Sequence, residues 1–100
     1  MACRVRLTAS TEKDEAEIVE GLLYMSGPAA ARGFLDAADT AVKNLARFPL
    51  MYPLVDEPRL RGLGYRKAIL GDYVMIYLVG NDNVNIVRVF HQRQDYARLL

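Results

Sequence analysis

Apolar positions along this chain change their period several times, and each change marks an element. Arg4-Val5-Arg6-Leu7-Thr8 alternates with period two, which predicts a short, half-buried strand. Thr11-Glu12-Lys13-Asp14 has the form of a capping box, with the Thr11 hydroxyl placed to satisfy free N–H groups of a first helical turn. Ile18, Val19, Leu22, Leu23 and Met25 then recur at helical spacing, and Gly27-Pro28 ends the run. Glu12, Asp14, Glu15, Glu17 and Glu20 predict a solvated acidic face whose early members suit the positive end of the helix dipole. A second helix is expected from about Ala29 to Arg47. Its apolar residues Phe34, Ala38, Ala41, Leu45 and Phe48, spaced 4, 3, 4 and 3, form one core-facing stripe. The short break between the helices predicts an antiparallel hairpin.

Phe48-Pro49-Leu50-Met51-Tyr52-Pro53 cannot continue a helix, because proline lacks the donor and disfavours helical geometry before it. Residues 49–64 therefore read as an irregular connection tethered by its own apolar side chains. Three strand patterns follow, Tyr65 to Leu70, Tyr73 to Val79 and Val84 to His91, with Gly71-Asp72 and Gly80-Asn81-Asp82-Asn83 as hairpin turns. The middle strand is apolar on both faces and should lie inside the sheet. In the last, strict alternation puts Val84, Ile86, Arg88 and Phe90 on one face and Asn85, Val87, Val89 and His91 on the other. A short helix with Asp95 as its N-cap is expected to run to Leu100. The fold class is α+β: a small, mostly antiparallel sheet packed on an N-terminal helical hairpin, in the order β-α-α-β-β-β with a short C-terminal helix. Residues 1–100 read as a single domain.

Composition narrows the partners. Hydrophobic content of 52% and charged content of 25% are those of a globular chain, not a disordered one. No apolar run approaches the roughly 20 residues of a membrane helix, and Met1-Ala2-Cys3-Arg4-Val5-Arg6 lacks the apolar segment of a signal peptide. One cysteine forms no internal disulfide, which points to the cytoplasm; Cys3 reads as a small residue beside the first strand. Residues 1–57 carry six Lys/Arg against nine Asp/Glu, and residues 58–100 carry seven against three, so the second half is the cationic one. A single histidine and a single cysteine argue against a metal site of conventional ligands, and no cofactor is expected. Gly62-Leu63-Gly64 lacks the lysine and following helix of a phosphate loop.

What remains is a cationic and aromatic set on strands and their ends: Arg61, Arg66, Lys67, Arg88, His91, Arg93 and Tyr96. Arginine offers phosphate a fixed fork of donors, and histidine ordinarily titrates near neutral pH. Metal-free RNA cleavage needs a proton acceptor for a 2′-hydroxyl, cations for the charge at phosphorus, and an acid for the leaving oxygen. His91 fits the acid or base, Arg66 and Arg93 the stabilising cations, and Tyr96 a stacking platform. Arg61, Lys67 and Arg88 complete a target-binding set. The same residues have structural readings: Arg88 pairing with an acid at the core edge, Tyr96 filling a core gap, Arg66-Lys67 coating an edge strand.

Four segments in order, Leu45 to Pro53, Gly64-Tyr65-Arg66-Lys67, Asp72 to Tyr77 and Val87 to Tyr96, resemble the RelE/ParE toxin superfamily. The resemblance implies the toxin half of a bacterial type II toxin–antitoxin module, held by a small antitoxin as a hetero-oligomer, or forming a homodimer. RelE-like members cut mRNA on the ribosome, and ParE-like members inhibit DNA gyrase. The nuclease members often carry an arginine where Val74 stands and a further basic residue where Ala68 stands. His91 and Arg93 fall about where they place acid–base and cationic groups. On this resemblance ribosome-dependent mRNA cleavage is slightly favoured over gyrase inhibition, with a non-toxic interaction module as a third reading. The antitoxin is expected to set acidic groups near Arg66, Arg88 or Arg93.

Overall fold

The computed structural model describes residues 3–100. Strand β1 (Arg4–Leu7) leads into helices α1 (Ala9–Met25) and α2 (Pro28–Arg47), and a short α3 (Pro58–Gly62) precedes strands β2 (Arg66–Leu70), β3 (Tyr73–Val79) and β4 (Asn83–His91). The predicted C-terminal helix is a single 3-10 turn, Tyr96–Arg98, and Asp95 occupies the cap position without a side-chain cap bond. The sheet order is β1-β4-β3-β2, with β1 parallel to β4 and the other pairs antiparallel. The α+β class and the helical hairpin on a mostly antiparallel sheet are as the sequence predicts.

The hairpin covers one face of the sheet. Phe34, Ala38, Ala41 and Leu45 of α2 meet Met75 and Tyr77 of β3 and Val84, Ile86 and Val89 of β4 in one core cluster. Ala38 and Ala41 bring the helix backbone close to the strands. Gly27, at φ 94°, makes the turn into α2, and Pro28 suits the first helical position. The opposite face carries a second cluster, Val55, Leu60, Val74, Ile76 and Phe90, roofed by Tyr65, Val87 and Tyr96. Alternate residues of β3 feed the two clusters, so its apolar run is explained by burial on both faces.

Several expectations fail for identifiable reasons. Within residues 49–64, Pro58–Gly62 is helical, because Glu57 accepts from the Leu60 N–H at 2.8 Å and Pro58 takes the first-turn position. The first helix begins at Ala9, capped by Thr8, whose hydroxyl accepts from the Thr11 N–H. Thr11 is no cap; it is buried. Phe48 is exposed at the end of the α2 stripe, as are Leu23 and Met25 on α1. In β4 a bulge opposite Ile76/Tyr77 inserts Val87 and reverses the alternation. Val89 thereby joins Val84 and Ile86 beneath the helices, while Phe90 turns to the other cluster.

Candidate functional site

β1 ends opposite Ile86, so beyond that point one edge of β4 has no strand beside it. The first turns of α1 fill the place. Thr8 donates its hydroxyl to the Val87 carbonyl at 3.1 Å, and Thr11 donates to the Ile86 carbonyl at 2.7 Å. Asp14 accepts from the Val89 N–H at 3.0 Å, and from Arg88 twice, Nε at 2.6 Å and Nη2 at 2.9 Å. Three side chains at helical spacing thus stand in for a strand at the bulge. Asp14 belongs to the buried stripe that continues through Ile18 and Leu22, and spacings of 3, 4 and 4 from Thr11 are the signal that marks it. Reading the acidic run as uniformly solvated misses it.

Arg88 is therefore committed. Its guanidinium lies 4.7 Å from the centre of the Phe90 ring while both forks serve Asp14, whose hydrogen bonds push this permanent cation further up. Its sequence-level reading as a core-edge ion pair describes what the structure contains.

His91 closes β4 opposite Tyr73, whose ring meets it edge-on at 5.3 Å. The following turn is tight: Gln94 accepts from the His91 N–H at 2.8 Å, and the Arg93 N–H donates to His91 Nδ1 at 3.1 Å. Accepting at Nδ1 orients the ring on the turn and leaves Nε2 facing away from it. Beside the ring is a cleft of about 280 Å³ lined by Asp14, Glu17, Tyr73, Arg88, His91 and Gln94, among others. It holds two carboxylates, and its arginine is already neutralised by one of them. That is a poor cradle for a phosphodiester. Arg93 is exposed on the turn. Tyr96 lies parallel to Phe90 with centroids 5.7 Å apart, as part of the second cluster.

Arg66 stands at the other end of the sheet. It pairs with Tyr77, whereas His91 pairs with Tyr73. Four residues along β3 and two strand spacings separate them, roughly 16 Å by strand geometry. Arg66 donates to the Tyr52 carbonyl at 2.7 Å and more distantly to the Leu50 carbonyl at 3.5 Å. Lys67 reaches Asp56 at 3.6 Å. Arg61 is exposed on α3. So the structure brings His91 and Arg93 together and leaves Arg66, Lys67 and Arg61 elsewhere. Val74, at the position where the resemblance looks for an arginine, is a core residue only 1% exposed.

Residues 5–96 match the family described as the ParE toxin of the type II toxin–antitoxin system parDE. The chain belongs to the ParE toxin family. Toxin ParE1 of Mycobacterium tuberculosis is 31% identical over 101 residues, covering all of both chains. Among solved structures, a chain of the chromosomal ParDE system from P. aeruginosa superposes with a TM-score of 0.72 at 17% identity, over 90% of this chain and 96% of that one. The RelBE2 toxin–antitoxin complex of M. tuberculosis gives 0.65 at 22% identity, over 92% and 100%. YafQ from E. coli gives 0.60 at 16%, over 98% of each. These likenesses establish the RelE/ParE fold, and at such identities they carry no assignment between the activities of its members.

Proposed function

We propose that this ParE-family toxin arrests bacterial growth by acting on DNA gyrase, without cutting RNA, and is held inactive by a cognate antitoxin. One observation carries the first part: the cations nominated for phosphate chemistry do not converge. Arg66 is spent on backbone carbonyls roughly 16 Å from His91, Arg88 is spent on Asp14, and the cleft beside His91 is lined by carboxylates. Electrostatic stabilisation of a phosphorane-like state requires donors aimed at one point. The family match favours the gyrase-directed branch of the resemblance over the slightly preferred mRNA cleavage. An antitoxin partner is supported by the solved relatives that are toxin–antitoxin complexes. Of the three arginines expected to meet its acidic groups, Arg66 and Arg88 have side-chain hydrogen bonds, and Arg93 alone has none among the described residues.

The test is induction of the chain in bacteria, with mapping of transcript ends and of DNA breaks, beside a supercoiling assay with purified gyrase. DNA breaks and blocked supercoiling are expected, without cuts inside codons of translated messages. His91→Ala should leave growth arrest unchanged. Were His91 a proton shuttle, that substitution would instead cost on the order of 100- to 10,000-fold in cleavage rate, and codon-centred cuts that vanish with it would overturn the proposal.

A further inference from the structure

Between α2 and β2 the chain shows three large apolar side chains within four residues, Phe48, Leu50 and Met51, all at least half exposed. Isolated exposed apolar residues are ordinary; a cluster on one loop is not. The loop beneath them is tied down at each step. The Phe48 N–H donates to Asn44 at 2.7 Å, the Met51 N–H donates to the Phe48 carbonyl at 3.1 Å, and the buried Tyr77 hydroxyl donates to the Pro49 carbonyl at 3.1 Å. Arg66 holds the carbonyls of Leu50 and Tyr52. Burial pushes the Tyr77 phenol up from its ordinary value, so it remains a donor across the physiological range. Backbone bonds that face inward fix side chains that face outward, and a surface held in this way loses little conformational freedom on binding.

We propose that the Phe48–Met51 loop is the surface with which this toxin grips its target, a protein face with an apolar recess flanked by carboxylates. The proposal rests on the gyrase reading for the target's name but not for its chemistry. Charge supplies the chemistry. Arg47 lies 5.4 Å from the centre of the Phe48 ring, and no acidic residue occurs in the sequence between Asp39 and Asp56, so the charge set against this apolar patch is cationic. A second apolar surface has the opposite sign. A groove lined by Leu7, Val19, Leu23 and Leu35 is rimmed by Glu12, Glu15 and Glu20. The cationic loop and the acidic groove select different partners. Arg66, assigned by sequence to catalysis, becomes the positioning residue that holds the loop in shape.

Three variants test this: Phe48→Ser/Leu50→Ser, which removes the anchors; Arg47→Glu, which reverses the rim; and Arg66→Met, which frees the loop. Each is measured for thermal unfolding, growth arrest and inhibition of purified gyrase. The double variant should keep its melting temperature and lose at least about 30-fold in inhibition, as expected for two buried anchors. Arg47→Glu should slow association and weaken its salt dependence. Full inhibition by the double variant at unchanged melting overturns the proposal. So does retained toxicity combined with lost rescue by the antitoxin, which would give the loop to that partner, or loss of a concentration-dependent dimer with toxicity intact, which would give it to a second copy. If the wild-type chain leaves gyrase untouched while the double variant still abolishes growth arrest, the loop stands as the target surface and only the gyrase reading fails.

Discussion

The two ends of the sheet each spend an arginine on the fold, and they spend it differently. At one end Arg66 and the Tyr77 hydroxyl hold neutral carbonyls of a surface loop. At the other the buried carboxylate of Asp14 holds Arg88 together with a backbone N–H of a bulged strand. Carbonyls that lose a donor near the surface are met by water. The buried Val89 N–H that loses its carboxylate is not, so the second end is the more fragile.

Removing Asp14 should therefore have the largest effect. Asp14→Ala leaves the buried Val89 N–H without a partner and unpairs the half-buried Arg88, and about 2 kcal/mol of unfolding free energy is expected to go. Chemical denaturation measures it, and a loss under about 1 kcal/mol would show that water replaces the carboxylate. At the other end Arg66→Met should cost about 1.5 kcal/mol and Tyr77→Phe about 1 kcal/mol. Because both brace the same loop, their double variant should lose less than the sum; strict additivity would mean that the two bonds act on independent segments.

The smallest effect lies on α1, one residue beyond Asp14. Burial, then the neighbouring Glu12 and Asp14, raise the Glu15 carboxyl above its ordinary 4.5. A raised carboxyl contributes stability below its unfolded value and loses that contribution as pH rises through the folded one, so at neutral pH charged Glu15 is a cost. Its partial exposure keeps that cost to a few tenths of a kcal/mol. Glu15→Gln should melt slightly higher at pH 7, with the advantage gone below about pH 4.5. An advantage independent of pH would point to packing rather than charge.

Much of this architecture was legible because it follows period and punctuation. The Phe34-Ala38-Ala41-Leu45 stripe, Gly27-Pro28 and the doubly apolar β3 each state their own environment. Other features depend on contacts that no local window contains. The bulge at Val87 inverts the alternation of β4, and only the pairing with Ile76 and Tyr77 reveals it. Asp14 looks like its acidic neighbours until the end of β1 leaves a strand edge for it to fill. The candidate site was the least legible part. Arg66, Arg88 and His91 are chemically apt for phosphate, but that aptness holds only where side chains converge, and register sets Arg66 and His91 four residues apart on β3. Phe48 reads as the end of the core-facing stripe, and Leu50 and Met51 as tethers for the connection, yet all three are exposed, because apolar content alone does not tell inward from outward.

The pairing of β1 with β4 joins residues 79 positions apart, as the bond from Thr8 to Val87 records. Among the described strands β1 is made before the other three, yet the one it pairs with, β4, is made after them. Until that strand emerges, Thr8 and Thr11 lack their carbonyl acceptors, Asp14 lacks both of its partners, and the underside of the hairpin has no complete sheet to cover. Such long-range closure makes folding slow and keeps apolar surface open meanwhile. Until β4 is made, the sheet that holds the bulge, the Asp14–Arg88 pair and the floor of the helical hairpin is incomplete.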